Sequence, residues 1–264
     1  MSNLNNQDIV AKNYLTEKNL ETRINLHKKY DKNLKWTHWN FENYHFFEGC
    51  RILELGCGTG SMWEGKIESL PQRTSLTLTD FSNGMIEVVK SNFANFTNVD
   101  FKVMNIQEIE YGDNTFDIVI ANSMLYHIPD VTKAISEVYR VLKTNGLFYA
   151  FTFGENGQSK FINQKLKEFN PEIDAFGHGT YSFLLQNGYK ILSEEFKNII
   201  RYDFIDTLDV TDSSDLVDYI LSASAMGNVE KEKTNGLLEF FDSIKDEKGI
   251  IKIPREYCMF ISQK

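Results

Sequence analysis

Short apolar runs alternate with amphipathic stretches through the middle of the chain. Residues 51–55 (Arg-Ile-Leu-Glu-Leu) run into glycines, which predicts a buried strand. Residues 61–70 predict a helix stopped by Pro71, and residues 75–79 a second strand with β-branched alternation that ends at Asp80. A helix over 82–94 and strands over 99–104 and 116–121 follow. Val131, Ile135, Val138 and Leu142 give residues 130–142 a helical period, and Asn145-Gly146 turns the chain into a fifth strand over 147–153. Strands separated by helices of about 10–13 residues predict βαβ units on a parallel sheet. Right-handed crossovers then favour a doubly wound α/β architecture.

The flanks read differently. Residues 7–30 predict a polar helix with Leu15, Leu20, Ile24 and Leu26 as its apolar positions, and an aromatic stretch with Trp36, Trp39, Phe41, Tyr44, Phe46 and Phe47 follows it. Beyond residue 154 the alternation weakens. Residues 156–188 predict a helical insertion, and strands at 196–203 and 256–262 are expected to close the sheet.

Composition narrows the function classes. Hydrophobic residues make up 42% of the 264 positions and charged ones 25%, so the chain can bury a core without metal or disulfides. A net charge of −9 argues against nucleic acid and anionic membrane as partners, since gripping phosphates needs Lys and Arg. Cys50, Cys57 and Cys258 are an odd set without a CxxC pair, so neither a disulfide framework nor a metal site is expected. The first thirteen residues hold no apolar signal core, and no uncharged apolar run is long enough to span a bilayer; the expected location is the cytoplasm.

The candidate chemistry begins at Glu54-Leu55-Gly56-Cys57-Gly58-Thr59-Gly60, placed at the first strand-to-helix turn. In an open α/β sheet this turn is the usual ligand anchor, and glycine lets the backbone approach the ligand closely. A ligand-free tight turn would use the same glycines. Asp80 changes the balance, because it falls 20 residues after Gly60 at a strand end, where a carboxylate can accept from both ribose hydroxyls. The G-x-G-x-G spacing differs from the G-x-G-x-x-G of pyrophosphate loops, and Glu54 would repel a pyrophosphate while suiting an ammonium or sulfonium.

With these residues the sequence resembles the class I S-adenosylmethionine-dependent methyltransferases, in particular the small-molecule group called methyltransferase type 11. Four blocks carry the resemblance: residues 52–60, residues 78–82 (Leu-Thr-Asp-Phe-Ser), residues 116–122 running on to Leu125-Tyr126-His127, and residues 140–143 with Asn145-Gly146. The resemblance implies a Rossmann-like doubly wound sheet of seven strands, mostly parallel, with the last strand antiparallel. It implies S-adenosyl-L-methionine as cofactor, with Glu54, Gly56, Cys57 and Gly58 around its methionine part and Asp80 on the ribose. Phe81 and Met85 would pack on the adenine, Asn105 and Ile106 would read its edge, and Asn122 would line the methionine side. Residues 1–48 are expected to form a helical, aromatic lid on a core spanning 49–264, with 154–190 as an insertion that shapes the acceptor pocket.

Methyl transfer from a sulfonium depends mainly on alignment, with a base needed when the acceptor is a hydroxyl or an ammonium. His127 follows the fourth strand and is the candidate base, with loop packing as the alternative. Tyr30, Trp36, Trp39 and His178 are the candidate acceptor-binding residues, with lid packing as the alternative for the aromatic ones. No Asn-Pro-Pro-Tyr follows the fourth strand, which together with the acidic charge points to a small-molecule acceptor. A non-catalytic binder of the same cofactor and an NAD-type oxidoreductase are the competing readings; oligomeric state stays open.

Overall fold

The computed structural model describes residues 8–9, 14, 16–31, 36–173, 175–176, 181–223, 229 and 231–264. Seven strands form one sheet: β1 (Arg51–Leu55), β2 (Ser75–Asp80), β3 (Val99–Val103), β4 (Phe116–Asn122), β5 (Leu142–Phe153), β6 (Asn198–Val210) and β7 (Ile251–Gln263). Their order is β3-β2-β1-β4-β5-β7-β6. The first five are parallel, and β7 runs antiparallel to both β5 and β6. The chain thus builds outward from β1 in one direction through β2 and β3, then reverses to lay β4 on its other side. That reversal opens a crevice beyond the carboxyl ends of β1 and β4, where ligands bind in such sheets.

Why the central strands read so clearly lies in their burial. Ile52, Leu53, Ile118, Val119 and Ile120 are wholly buried, as expected for parallel strands covered on both faces. Alternate residues feed two separate cores. Leu53, Leu55, Val119 and Phe148 face α4 (Val131–Val141) through Ala134, Ile135 and Val138. Ile52, Leu76, Ile118 and Phe151 face α3 (Asn83–Phe93) through Ile86, Val89 and Phe93. Both helices have the caps that end them where the pattern says: Ser82 and Asp130 accept from the backbone N–H of Met85 and Lys133.

A third core stands at the far ends of the long strands. It joins α1 (Lys18–Tyr30), through Leu26 and Tyr30, to α5 (Gln158–Phe169), α7 (Ser213–Ser222) and α8 (Leu237–Ser243), resting on Leu208, Val210, Ile251 and Ile253. Asp31, which ends α1, is held at 3.0 Å by the wholly buried guanidinium of Arg255 on β7, which also pairs with Asp206 on β6. Two further helices among the described residues are α2 (Trp36–Asn43) and α6 (Leu185–Leu192).

Three sequence expectations are corrected. Residues 61–70 are not a helix but two single 3₁₀ turns, Ser61–Trp63 and Ile67–Ser69, because Gly65 lies between them at φ +66°. The polar helix expected over 7–30 is shorter among the described residues, Lys18–Tyr30, with Tyr14 in a turn and Thr16 and Glu17 in a bend before it. The last two strands exceed the expected 196–203 and 256–262, since they pair from Asn198↔Gln263 to Val210↔Ile251 without a break. Among the described residues no helix is long and apolar enough to cross a membrane, no acidic, His or Cys group could hold a metal, and the three cysteines are free and buried.

Candidate functional site

A cavity of about 840 Å³ lies at the crevice beyond β1 and β4. Its size falls toward the upper end of the range of roughly 300–1,000 Å³ usual for ligand pockets. One side is the glycine loop. Cys57 N–H donates to the Thr79 carbonyl (2.8 Å), and Gly58 N–H donates to Asp80 Oδ2 (2.9 Å), so β1 and β2 fix the loop together. Gly58 sits at φ +55°, and a Cβ there would stand 2.9 Å from Leu20 of α1. The N-terminal helix therefore lies directly against the loop.

Two carboxylates flank this loop. Asp80 accepts from Ser82 N–H (2.8 Å) as well as from Gly58. Burial pushes its carboxyl up, and these backbone donors oppose the rise. Glu54 is 1% exposed, yet among the described residues no Lys or Arg forms an ion pair with it. It accepts from the Trp63 indole N–H (2.5 Å) and from the Asn122 side-chain amide (2.9 Å), and burial raises it to about 7. Asn122 is itself oriented: its Oδ1 accepts from the Tyr44 hydroxyl (3.0 Å) and from the Asn40 amide (3.4 Å).

Across the cavity, His127 closes the 3₁₀ turn Leu125–His127 after β4. Its Nε2 stands 3.1 Å from the Tyr14 hydroxyl, and the two rings meet edge to face. Arg23 Nη1 reaches the same hydroxyl at 3.5 Å, and its guanidinium lies 5.1 Å from the centre of the Tyr14 ring. His27 lines the cavity beside them; burial first, then the Arg255 charge, lowers it to about 4, so its ring is neutral.

The structure brings most of the residues named from sequence into this one cavity: Glu54, Gly56, Cys57, Gly58, Asp80, Phe81, Asn105, Ile106, Asn122, His127 and Trp36 all line it. Phe81 stands at the rim, 46% exposed, and the Asn105 side-chain oxygen accepts from the Gln107 N–H (3.0 Å). Trp36 stacks on Phe151 with centroids 5.2 Å apart. Three residues lie elsewhere. Met85 is fully buried in α3, off the cavity, because its side of the helix turns inward. Trp39 packs on Phe151 and Phe204 behind the wall. Tyr30 belongs to the third core, where its hydroxyl donates to the Asp215 carboxylate and accepts from Asp212 N–H (3.2 Å). His178 is outside the described residues.

Within the lid expected over residues 1–48, the sequence singled out Tyr30, Trp36 and Trp39 and not the face of α1 that forms the wall. Leu20, Arg23, Ile24 and His27 all line the cavity, at the i, i+3, i+4, i+7 spacing of one helix face. That spacing was the available signal, masked because polar and apolar residues share the face. Gln158 belongs to the insertion expected to shape the acceptor pocket, though it was not singled out, and tertiary packing brings Tyr219 and Tyr257 to the same cavity.

Residues 53–150 match the family model described as methyltransferase domain. A malonyl-[acyl-carrier protein] O-methyltransferase of Halalkalibacterium halodurans is 32% identical over 106 residues, 39% of this chain and 39% of the relative. A ubiquinone/menaquinone biosynthesis C-methyltransferase of Hydrogenovibrio crunogenus is 30% identical over 107 residues, 39% of this chain and 42% of the relative. The chain thus matches about two fifths of the length of these curated relatives. Among solved structures, the YcgJ protein of Bacillus subtilis superposes with a TM-score of 0.59 at 18% identity, covering 86% of this chain and 96% of the other, which shows the shared fold. Residues 53–150 are thus similar to the methyltransferase domain family, and the surrounding sheet has the fold of the solved neighbour.

Proposed function

We propose that this protein transfers the methyl group of S-adenosylmethionine in line to a nitrogen or oxygen of a small-molecule acceptor. The observation that carries the reading is the buried Glu54 carboxyl, which meets the cavity beside the glycine loop with no ion-pair partner among the described residues, only the more distant charge of Lys66 reaching it. An ammonium such as that of the cofactor's methionine part suits this position. Asp80 fits the same ligand: a carboxylate has about four acceptor sites, and the backbone N–H groups of Gly58, Ser82 and Phe81 that act on it leave room for a ribose hydroxyl. Cys57, Gly56 and Asn122 would line the methionine part, and Phe81, Asn105 and Ile106 the adenine. When bound, the cofactor supplies the electrophilic methyl group. The cavity aligns the acceptor with it, and His127, its ring held by the Tyr14 hydroxyl, takes the acceptor's proton.

Titration calorimetry with S-adenosylmethionine, S-adenosylhomocysteine and NAD tests the donor. We expect both adenosyl compounds to bind, and Asp80→Ala to weaken them by about 1.5–3 kcal/mol, the loss of charge-assisted hydrogen bonds. Tight NAD binding without adenosyl binding would sink the assignment. Transfer of labelled methyl over a panel of amines, phenols and acids tests catalysis; a protein that binds the cofactor and turns over no acceptor class would be a binder instead.

A further inference from the structure

The wall of the cavity contributed by α1, α5, α7 and β7 carries more hydrogen-bond donors than the protein itself satisfies. Arg23 spends Nε on the Asn19 carbonyl (3.0 Å) and Nη1 on Tyr14, while its buried Nη2 has no partner. Gln158, at the start of α5, is 7% exposed and lines the cavity, and its buried Nε2 also has no partner. Tyr126, Tyr219 and Tyr257 line the same cavity, and no described residue hydrogen-bonds their hydroxyls. Burial pushes all three phenols up, Tyr257 to about 12, so they are neutral donors. The charge of Arg23 bears on both Tyr126 and Tyr219, which places these groups in one neighbourhood.

The nearby carboxylates do not serve these donors. Asp31 is tied to Arg255, and Glu256 accepts from Asn156 N–H (2.8 Å) and the Gln186 amide (3.3 Å). A guanidinium N–H and an amide N–H that are buried without partners, with several hydroxyls facing the same space and the unpartnered Nδ1 of neutral His27 beside them, are costly unless a ligand hydrogen-bonds to them. Trp36, Phe151 and Phe153 add an apolar wall to the same space.

We propose that this donor-rich wall binds an oxyanion of the methyl acceptor, a carboxylate or a phosphate monoester carried on an apolar or aromatic body. The proposal rests on the methyltransferase reading in taking the occupant to be the acceptor. Arg23 supplies the charge and Gln158 and the phenols complete the shell, while the ring of the acceptor packs on the aromatic wall.

Benzoate, phenyl phosphate and the neutral benzamide are the probes, titrated into the full chain with and without saturating S-adenosylhomocysteine. At least one anion should bind about tenfold tighter than benzamide, the effect of a charge-assisted hydrogen bond, and whichever binds tighter identifies the oxyanion. Arg23→Gln and Gln158→Leu should each remove most of that preference and leave the affinity for S-adenosylhomocysteine within about twofold. Gln158→Leu keeps a similar volume, so it serves even if the Arg23 variant does not fold. Anions bound no tighter than benzamide, by a protein that binds S-adenosylhomocysteine, overturn the proposal. So does an Arg23 variant that loses S-adenosylhomocysteine and keeps the anion preference, because the guanidinium would then read the cofactor. An anion preference without any binding of S-adenosylhomocysteine supports the oxyanion site and overturns the methyltransferase reading alone.

Discussion

Glu54, next to last in β1, carries a carboxyl raised from 4.5 to about 7 in the folded protein, chiefly because it is buried. A carboxyl raised on folding favours the folded state while it is protonated. Its contribution is complete below about pH 4.5 and is lost as the pH climbs through 7, a span worth about 3 kcal/mol. Cofactor binding runs the other way, since the cationic ligand needs the ionised carboxylate. Affinity for S-adenosylmethionine should rise from about pH 6 to about pH 7.5, by close to tenfold per unit below 7, with release of a proton. Calorimetry in buffers of different ionisation enthalpy reads that proton, and Glu54→Gln should abolish both the slope and the release. A flat profile in the parent protein would remove Glu54 from the cofactor site. The structure puts Glu54, next to last in β1, and Asp80, last in β2, on the cavity, as their positions beside the glycine loop and at the second strand's end led the sequence to expect. Met85, Trp39 and Tyr30 were misplaced because residue type alone does not say which way a side chain turns.

Single elements show where a residue pattern suffices and where it does not. The loop after β1 closes against α3 at Gly60, which holds φ +76° with the position of a Cβ 2.5 Å from Phe93 and 2.7 Å from Val89. Gly60→Ala must therefore both adopt a left-handed backbone and push into a packed helix, so we expect it to destabilise the protein by about 2–4 kcal/mol in denaturant unfolding. Gly58→Ala should cost less, because its new methyl meets only the end of the Leu20 side chain. Equal losses at the two positions would contradict this packing account. The parallel strands were readable because burial on both faces gives continuous apolar runs. β6 was read too short for the opposite reason: Ile200, Tyr202 and Ile205 are exposed, and backbone pairing with β7 rather than burial defines the strand. The helix expected over 61–70 failed on one residue, Gly65, whose left-handed backbone outweighs the helical pattern around it.

At the scale of the whole molecule, the sheet and its crevice were written in the local pattern and the third core was not. Its parts come from residues 26–30, 162–253 and the ends of two long strands, and no local period links segments so far apart. This core supports one face of α1 while the other face forms cavity wall, from Leu20 beside the glycine loop to His27 and Arg23 on the donor-rich side. One helix anchored at Asp31 thus borders both the place proposed for the cofactor and the place proposed for the acceptor. Two ligands that share a wall have linked affinities, and the linkage is reciprocal: S-adenosylhomocysteine should tighten an acceptor by the same factor by which that acceptor tightens S-adenosylhomocysteine, within the range of about 5–150-fold usual for coupled sites. Calorimetric titration of each ligand in the presence and absence of the other measures that factor on both legs of the cycle. A factor of one would mean that α1 stands equally well with either ligand absent, and that the two sites, though adjacent, are energetically separate.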